Sequence, residues 1–243
     1  MYIGAVHPTR VPVLSVCFPL FPCKFGAHAS AFGASAAARR FSLGILLVGM
    51  AFPNLRAQCQ PLNTSLQEFE ILARGQEIGF LKARKIQFAD SVRYEIYSES
   101  AIRLVISYQM AFRQVAVYRA GRMVRSSLVH YVNHKRREHH RLRWVDARNH
   151  YRVQSSERKA PVFIAEPIYE GTASIYFRKP RKKRLYALRH QQWLTIRPQE
   201  RKPEYYELFL PNGKVNGYHY DRNGGLKEVE VDNMMMKVLI RAK

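Results

Sequence analysis

In "IRLVISYQMAF", Ile102 to Phe112, apolar residues fall at every second place. Ile102, Leu104, Ile106, Tyr108, Met110 and Phe112 share one parity, and Arg103, Val105, Ser107, Gln109, Ala111 and Arg113 share the other. An extended strand with this pattern buries one face and wets the other, whereas a helix would scatter the same side chains around its axis. The period of two dominates the chain after residue 57, and turn residues interrupt it at short intervals: "ARGQE" (73–77), "RAGR" (119–122), "VNHK" (132–135), "PNGK" (211–214) and "DRNGG" (221–225). Asn212-Gly213 and Asn223-Gly224 are hairpin signals, because a two-residue type I′ turn needs positive φ at both central positions.

These features predict strands near 67–73, 77–88, 91–99, 102–118, 123–132, 136–145, 149–155, 183–189, 204–210, 215–221, 226–232 and 235–241, with at most one short helix, within 166–177. The fold class is therefore all-β: a single antiparallel meander sheet of about 11–12 strands, strongly curved or closed into a partial barrel so as to manage its edges. In this reading residues 58–243 form one β-rich domain, long enough for a single core.

Residues 1–57 read differently. "RRFSLGILLVGMAFPNLRAQ", Arg39 to Gln58, has an arginine pair, an apolar run from Phe41 to Phe52 and a small residue, Ala57, before Gln58. That is the layout of a secretory signal peptide, and the run is shorter than the roughly 20 residues that span a bilayer as a helix. The 38 residues before it suggest a start placed too far upstream or, as the alternative, a longer-than-usual leader. The expectation is an exported protein of the periplasm or outer envelope, with cleavage after Ala57 and no transmembrane helix in the mature chain. Cys17 and Cys23 fall in the leader, so Cys59 alone remains and no internal disulfide forms. Gln58 stands where a lipoprotein signal needs a small residue, which argues against a lipid anchor on Cys59.

The hairpin-rich segments "FEILARGQEIGFLKARKI" (69–86), "GRMVRSSLVHYVNHKRRE" (121–138), "IYF" (175–177) and "YELFLPNGKVNGYHYDRNG" (206–224) resemble an uncharacterised family of bacterial secreted proteins, a domain of unknown function. Its marks here are a leading hairpin with Gly-x-x-x-Gly (Gly75, Gly79) and a "YEL-x-LPNG" hairpin near the end. The resemblance spans most of residues 66–243. It implies one exported β-rich domain and supplies no activity.

Charge narrows the partners. The formal charge is +22; five of the 40 basic residues and none of the 18 acidic ones lie in residues 1–57, which leaves the remainder at +17. In "NHKRREHHRLRW" (133–144), Lys135, Arg137, His139, Arg141 and Arg143 share one strand face, while Glu138, His140, Leu142 and Trp144 share the other. Side chains on one face repeat about every 6.6–7 Å, a spacing comparable to that of anionic groups along a polymer. Arg181, Lys182, Lys183 and Arg184 form a second basic cluster, able to favour anionic lipid. These nine residues are the candidate polyanion-binding set, with anionic lipid or polysaccharide of the envelope as partner and no specific nucleic acid.

Other chemistry is not apparent. Adjacent His139 and His140 go to opposite faces of a strand, and no carboxylate set stands at ligand spacing, so no metal and no cofactor are expected. Ser126 and Ser127 lack a nucleophile-elbow setting, Asp146 and His150 have no nucleophile beside them, and no catalytic residue can be named. The expected function is a non-enzymatic envelope binding or scaffolding module. The alternatives are a lipid carrier, which needs a cavity within the sheet, and a glycan hydrolase, which needs two carboxyls roughly 5–10 Å apart in a cleft.

Overall fold

Alternation of buried and exposed residues is the rule along the strands. On the strand Lys135–Val145, His140, Leu142 and Trp144 are buried while Arg141 and Arg143 are exposed. The computed structural model describes residues 60–103, 107–232 and 237–243. The leader with its expected cleavage site, Cys59, Leu104 and Ile106 lie outside the described residues.

Fourteen strands form a single antiparallel sheet. They are β1 (Asn63–Ala73), β2 (Gln76–Gln87), β3 (Ser91–Arg103), β4 (Ser107–Arg119), β5 (Arg122–Val132), β6 (Lys135–Val145), β7 (His150–Ser155), β8 (Val162–Ile164), β9 (Arg184–Ala187), β10 (Gln192–Gln199), β11 (Lys202–Phe209), β12 (Val215–Tyr220), β13 (Leu226–Asp232) and β14 (Lys237–Ala242). The meander runs outward from β1 to β8, then restarts at the opposite edge with β9 and returns to β14, which pairs with β1 through Phe69↔Ala242 and Ile71↔Ile240. The all-β meander expected from the sequence is present. Within 166–177 there is a 3-10 turn, Ser174–Tyr176, and no α-helix.

The sheet is rolled around the crossover segment 165–183, which joins its two edges. Tyr151 of β7 donates a hydrogen bond to the Met123 carbonyl (2.8 Å) and accepts one from the Ile168 amide (3.1 Å). Tyr220 of β12 donates to the Ile175 carbonyl (2.8 Å). β7 and β12 stand nine places apart in the strand order, a separation of about 43 Å in a flat sheet. The seven steps from Ile168 to Ile175 reach at most about 25 Å, so both strands meet this segment only if the sheet curls over it. Ile168, Ala173, Ser174 and Ile175 are accordingly buried. Both edge strands are short. β9 is further covered by the crossover, where the Tyr186 amide donates to the Glu170 carbonyl (2.9 Å), which blunts an otherwise free edge.

Three expectations are corrected. The run 102–118 is not one strand: Arg103 pairs with Ser107 and Ile102 with Tyr108, so the chain reverses between them. Ile102 and Tyr108 therefore face each other across a hairpin. Tyr108 is 39 % exposed and Ile102, Met110 and Phe112 are only half-buried, so none of the four described residues of the expected core stripe is fully buried. Unbroken alternation hid the reversal, because a hairpin whose turn keeps parity continues the period of two.

β8 and β10 add two strands to the expected number. Pro198 argues against a strand at 192–199, since it cannot donate to a ladder. β9 pairs only with Gln192–Thr195, so Pro198 lies beyond the end of that ladder. The third correction concerns turn type. In both Asn-Gly turns only the glycine has positive φ (Gly213 +80°, Gly224 +85°). Gly213 donates to Leu210 and Leu210 to Lys214, as in a three-residue loop whose left-handed glycine follows a type I turn. The two-residue turns with positive φ at both positions are Arg74-Gly75, Ala120-Gly121 and Asn133-His134.

Candidate functional site

β5, β6 and β7 lie side by side, and their registers align three arginines. Arg125 pairs with Arg143, and Arg143 pairs with Arg152. All three are exposed on the outer face, opposite to buried Ser126, Leu142 and Val153. Directly opposed like charges destabilise a sheet, and neighbouring strands are only about 4.8 Å apart. Arg141 lies one pleat further along β6, between Ser127 and Gln154. Its Nε donates to Nε2 of His139 (3.0 Å).

A β-bulge redistributes the basic residues at the start of β6. His130 pairs with Glu138 but Tyr131 pairs with Arg136, leaving Arg137 as the extra residue. The shift moves Lys135 opposite Val132, on the face of Leu128 and His130. Lys135 thus leaves the expected row and Arg136 takes its place. Among the described residues, Arg125, Arg136, Arg137, Arg141, Arg143 and Arg152 form no ion pair with an Asp or Glu side chain. His139 is held below its ordinary pKa by partial burial and by the charges of Arg141 and Arg136.

The second basic cluster sits elsewhere; of its four residues Arg184 alone is ion-paired among the described residues, and the neighbouring Arg178 and Lys179 are paired as well. Arg178 meets Glu170 (3.5 Å), Lys179 meets Glu204 and Arg184 meets Glu166. The amides of Arg181 and Lys182 donate to the Glu170 carboxylate at 3.1–3.2 Å. Arg184 also stacks over the Trp193 ring at 4.8 Å. Lys182 and Lys183 are exposed nearby. The structure therefore divides the nine sequence-predicted residues: Arg137, His139, Arg141 and Arg143 share the β6 outer face, Lys135 faces away, and residues 181–184 belong to the crossover and β9. Arg125, Arg136 and Arg152 join the site unforeseen. Cross-strand register, absent from a linear reading, brings Arg125 and Arg152 in.

The inner face at the same end carries a different constellation. Glu138 receives a bidentate clamp from Arg189, in the turn between β9 and β10 (Nε–Oε2 2.9 Å, Nη2–Oε1 2.7 Å), and Nδ1 of His130 lies 3.3 Å from Oε1. This clamp links β6 to a turn at the far edge of the sheet, so side chains close the roll where no ladder does. Burial alone would raise the Glu138 pKa; the hydrogen bonds and charge of Arg189 outweigh it and hold the carboxyl below its usual range. His140 is completely buried, and neither ring nitrogen has a hydrogen-bond partner. Its Nε2 lies 3.8 Å from Glu138 Oε2. Ligand-type atoms of Glu138, His140 and Glu157 all lie within 4.8 Å of one another. The sequence contained half of this signal, since Glu138-x-His140 on a strand puts both residues on one face. Glu157 joins through the turn after β7 and could not be read from spacing.

A family model for a domain of unknown function, DUF6134, matches residues 69–243. The chain belongs to that family. The match begins in β1 and runs through β14, so the DUF6134 domain comprises nearly the whole described sheet, as the resemblance to a β-rich domain of unknown function implies. No curated protein matches the chain. A solved structure, a beta-barrel-like protein of the domain of unknown function DUF1849 from Brucella abortus, is similar at 8% identity with a TM-score of 0.45, over 73% of this chain and 94% of that one. No helix among the described residues is long and apolar enough to cross a membrane.

Proposed function

We propose that this DUF6134 domain is an exported, non-enzymatic binding module that holds an anionic polysaccharide of the cell envelope along the outer face of β5–β7. The observation that carries the reading is the row Arg125–Arg143–Arg152. Three guanidiniums on adjacent strands, without a carboxylate among them, raise the energy of the free protein. A bound polyanion relieves that repulsion and is attracted by all three at once. Along β6, Arg141 stands one pleat, about 6.8 Å, from Arg143, and Arg136 and Arg137 extend the basic face beyond His139. Arg152 pairs with Phe163, an exposed aromatic, 54 % accessible, on which the apolar face of a sugar ring can rest.

The alternative functions have less to stand on. A lipid carrier needs interior space, and the crossover places Ile168, Ala173 and Ile175, all buried, inside the roll. A hydrolase needs a carboxylic acid able to give up a proton near neutral pH. Glu138, whose carboxyl approaches Glu157, is kept ionised by Arg189.

The reading is tested by retention of the purified mature chain on immobilised heparin, on neutral dextran and on vesicles with and without phosphatidylglycerol. Retention on heparin but not dextran at low salt is expected. Failure to bind heparin sinks the reading. Binding to the anionic vesicles alone replaces the polysaccharide with a lipid surface.

A further inference from the structure

A buried imidazole normally hydrogen-bonds through at least one nitrogen, because an unsatisfied buried polar group costs about 1–3 kcal/mol. His140 is wholly inaccessible and both its nitrogens lack partners. Its Nε2 faces Glu138 Oε2 across 3.8 Å, too far for a hydrogen bond and wide enough for an ion between them. Glu157 completes a triangle with no side longer than 4.8 Å. In a tetrahedral site with bonds of about 2.0–2.2 Å, ligand atoms stand roughly 3.4 Å apart. Small rotations reach that geometry, and Glu157, exposed after the end of β7, is free to make the largest one.

We propose that His140 Nε2 and the carboxylates of Glu138 and Glu157 bind a divalent transition metal of the zinc class, with a fourth position open to water. One imidazole and two carboxylates suit such an ion better than calcium or magnesium, which take oxygen ligands. Arg189 meets the Glu138 carboxylate, while Glu157 forms no ion pair among the described residues and adds a negative charge that favours a dication. Arg189, through both carboxylate oxygens, and His130, at Oε1, fix the orientation of the Glu138 carboxylate, the outer support that metal ligands commonly have. His139, although adjacent, is excluded because the strand sends it to the outer face. The ion ties β6 to the segment following β7. The site is independent of the polyanion reading, since it occupies the inner face.

The full chain, stripped with a chelator, is titrated with zinc by calorimetry, and cobalt is substituted for its visible spectrum. One zinc per chain is expected at this site, together with a cobalt spectrum that shows nitrogen and oxygen ligation. Glu157→Gln changes an exposed residue, so folding without metal is kept; it should weaken zinc at least about tenfold and remove the zinc-induced rise in melting temperature. His140→Gln should abolish binding at this site, and His139→Gln should leave it unchanged. The proposal fails if the chain binds no zinc, or if Glu157→Gln binds it as tightly as the parent. The Glu157 variant decides the matter even if the buried His140 variant does not fold.

Discussion

Gly75 and Gly79, the two glycines of the leading hairpin, are needed for different physical reasons. Gly75 has φ of +77°, a conformation the turn demands and one that glycine adopts without a Cβ penalty. Gly79 has no such φ. It sits in β2 opposite Ser100, and a Cβ there would lie 2.0 Å from the Glu99 carbonyl oxygen. Backbone on the neighbouring strand cannot swing aside. Gly79→Ala should therefore destabilise the domain by about 1–3 kcal/mol. In Gly217→Ala the new methyl meets the hydroxyl end of Tyr205, a side chain that can rotate, so a much smaller loss is expected. Urea melts of the two variants check the contrast, and equal losses would contradict it. The sequence marked both glycines of the leading hairpin but not the difference between them, because close approach is a property of the partner strand.

At the scale of elements, the crossover organises the interior. Tyr151 joins three segments with one hydroxyl: its own strand, the Met123 carbonyl on β5 and the Ile168 amide of the crossover. Tyr151→Phe keeps the ring, its edge-on contact with Trp144 at 4.7 Å and nearly all the volume, while orphaning a buried donor and a buried acceptor. It should cost about 1–3 kcal/mol, measured by denaturant unfolding; a loss near zero would mean that the crossover is not anchored there. This element was poorly legible in the sequence. "EPIYEGTASIYF" has no helical or strand period because its residues are buried by enclosure, contacting strands on several sides. The hairpins were legible because each is a local pattern of period two closed by a turn. The Ile102–Phe112 error shows the limit of that signal: alternation survives a chain reversal and cannot by itself locate one. Basic residues along β6 were visible; the row across β5–β7 was not, since it exists only in the register between strands.

For the whole molecule, the rolled sheet encloses a tyrosine-rich interior, with Tyr94, Tyr118, Tyr151, Tyr186, Tyr218 and Tyr220 buried. Burial pushes the Tyr218 pKa up to about 12 and those of Tyr118, Tyr176 and Tyr220 higher still. An unfolded tyrosine ionises near 10. Below about pH 10 the phenols are neutral in both states and stability is fully present. Above it the unfolded chain gives up protons that the folded chain retains, so stability falls as pH rises through 10 toward 12 and beyond. Ultraviolet titration should show the buried phenols ionising late and together with loss of the fold. Independent ionisation near pH 10 would contradict their burial.

Surface charge decides the central claim. Elsewhere some basic residues are paired with acids, such as Arg84 with Glu95, Arg119 with Asp90 and Arg241 with Glu228 (3.1 Å), whereas the arginine row sets three like charges directly opposite one another on adjacent strands. If that row binds a polyanion, its charges release counterions on association, and the logarithm of affinity falls with the logarithm of salt in proportion to the charges engaged. The most direct measurement is the salt dependence of heparin affinity for three proteins: the parent chain, Arg125→Gln/Arg143→Gln/Arg152→Gln, and Arg178→Gln/Arg181→Gln/Arg184→Gln as a charge-matched control. The row variant should bind more weakly, with a salt slope smaller by about 3, roughly one per arginine removed, while the control keeps nearly the parent slope. Equal losses in the two variants, or an unchanged slope in the row variant, would contradict a binding face on β5–β7.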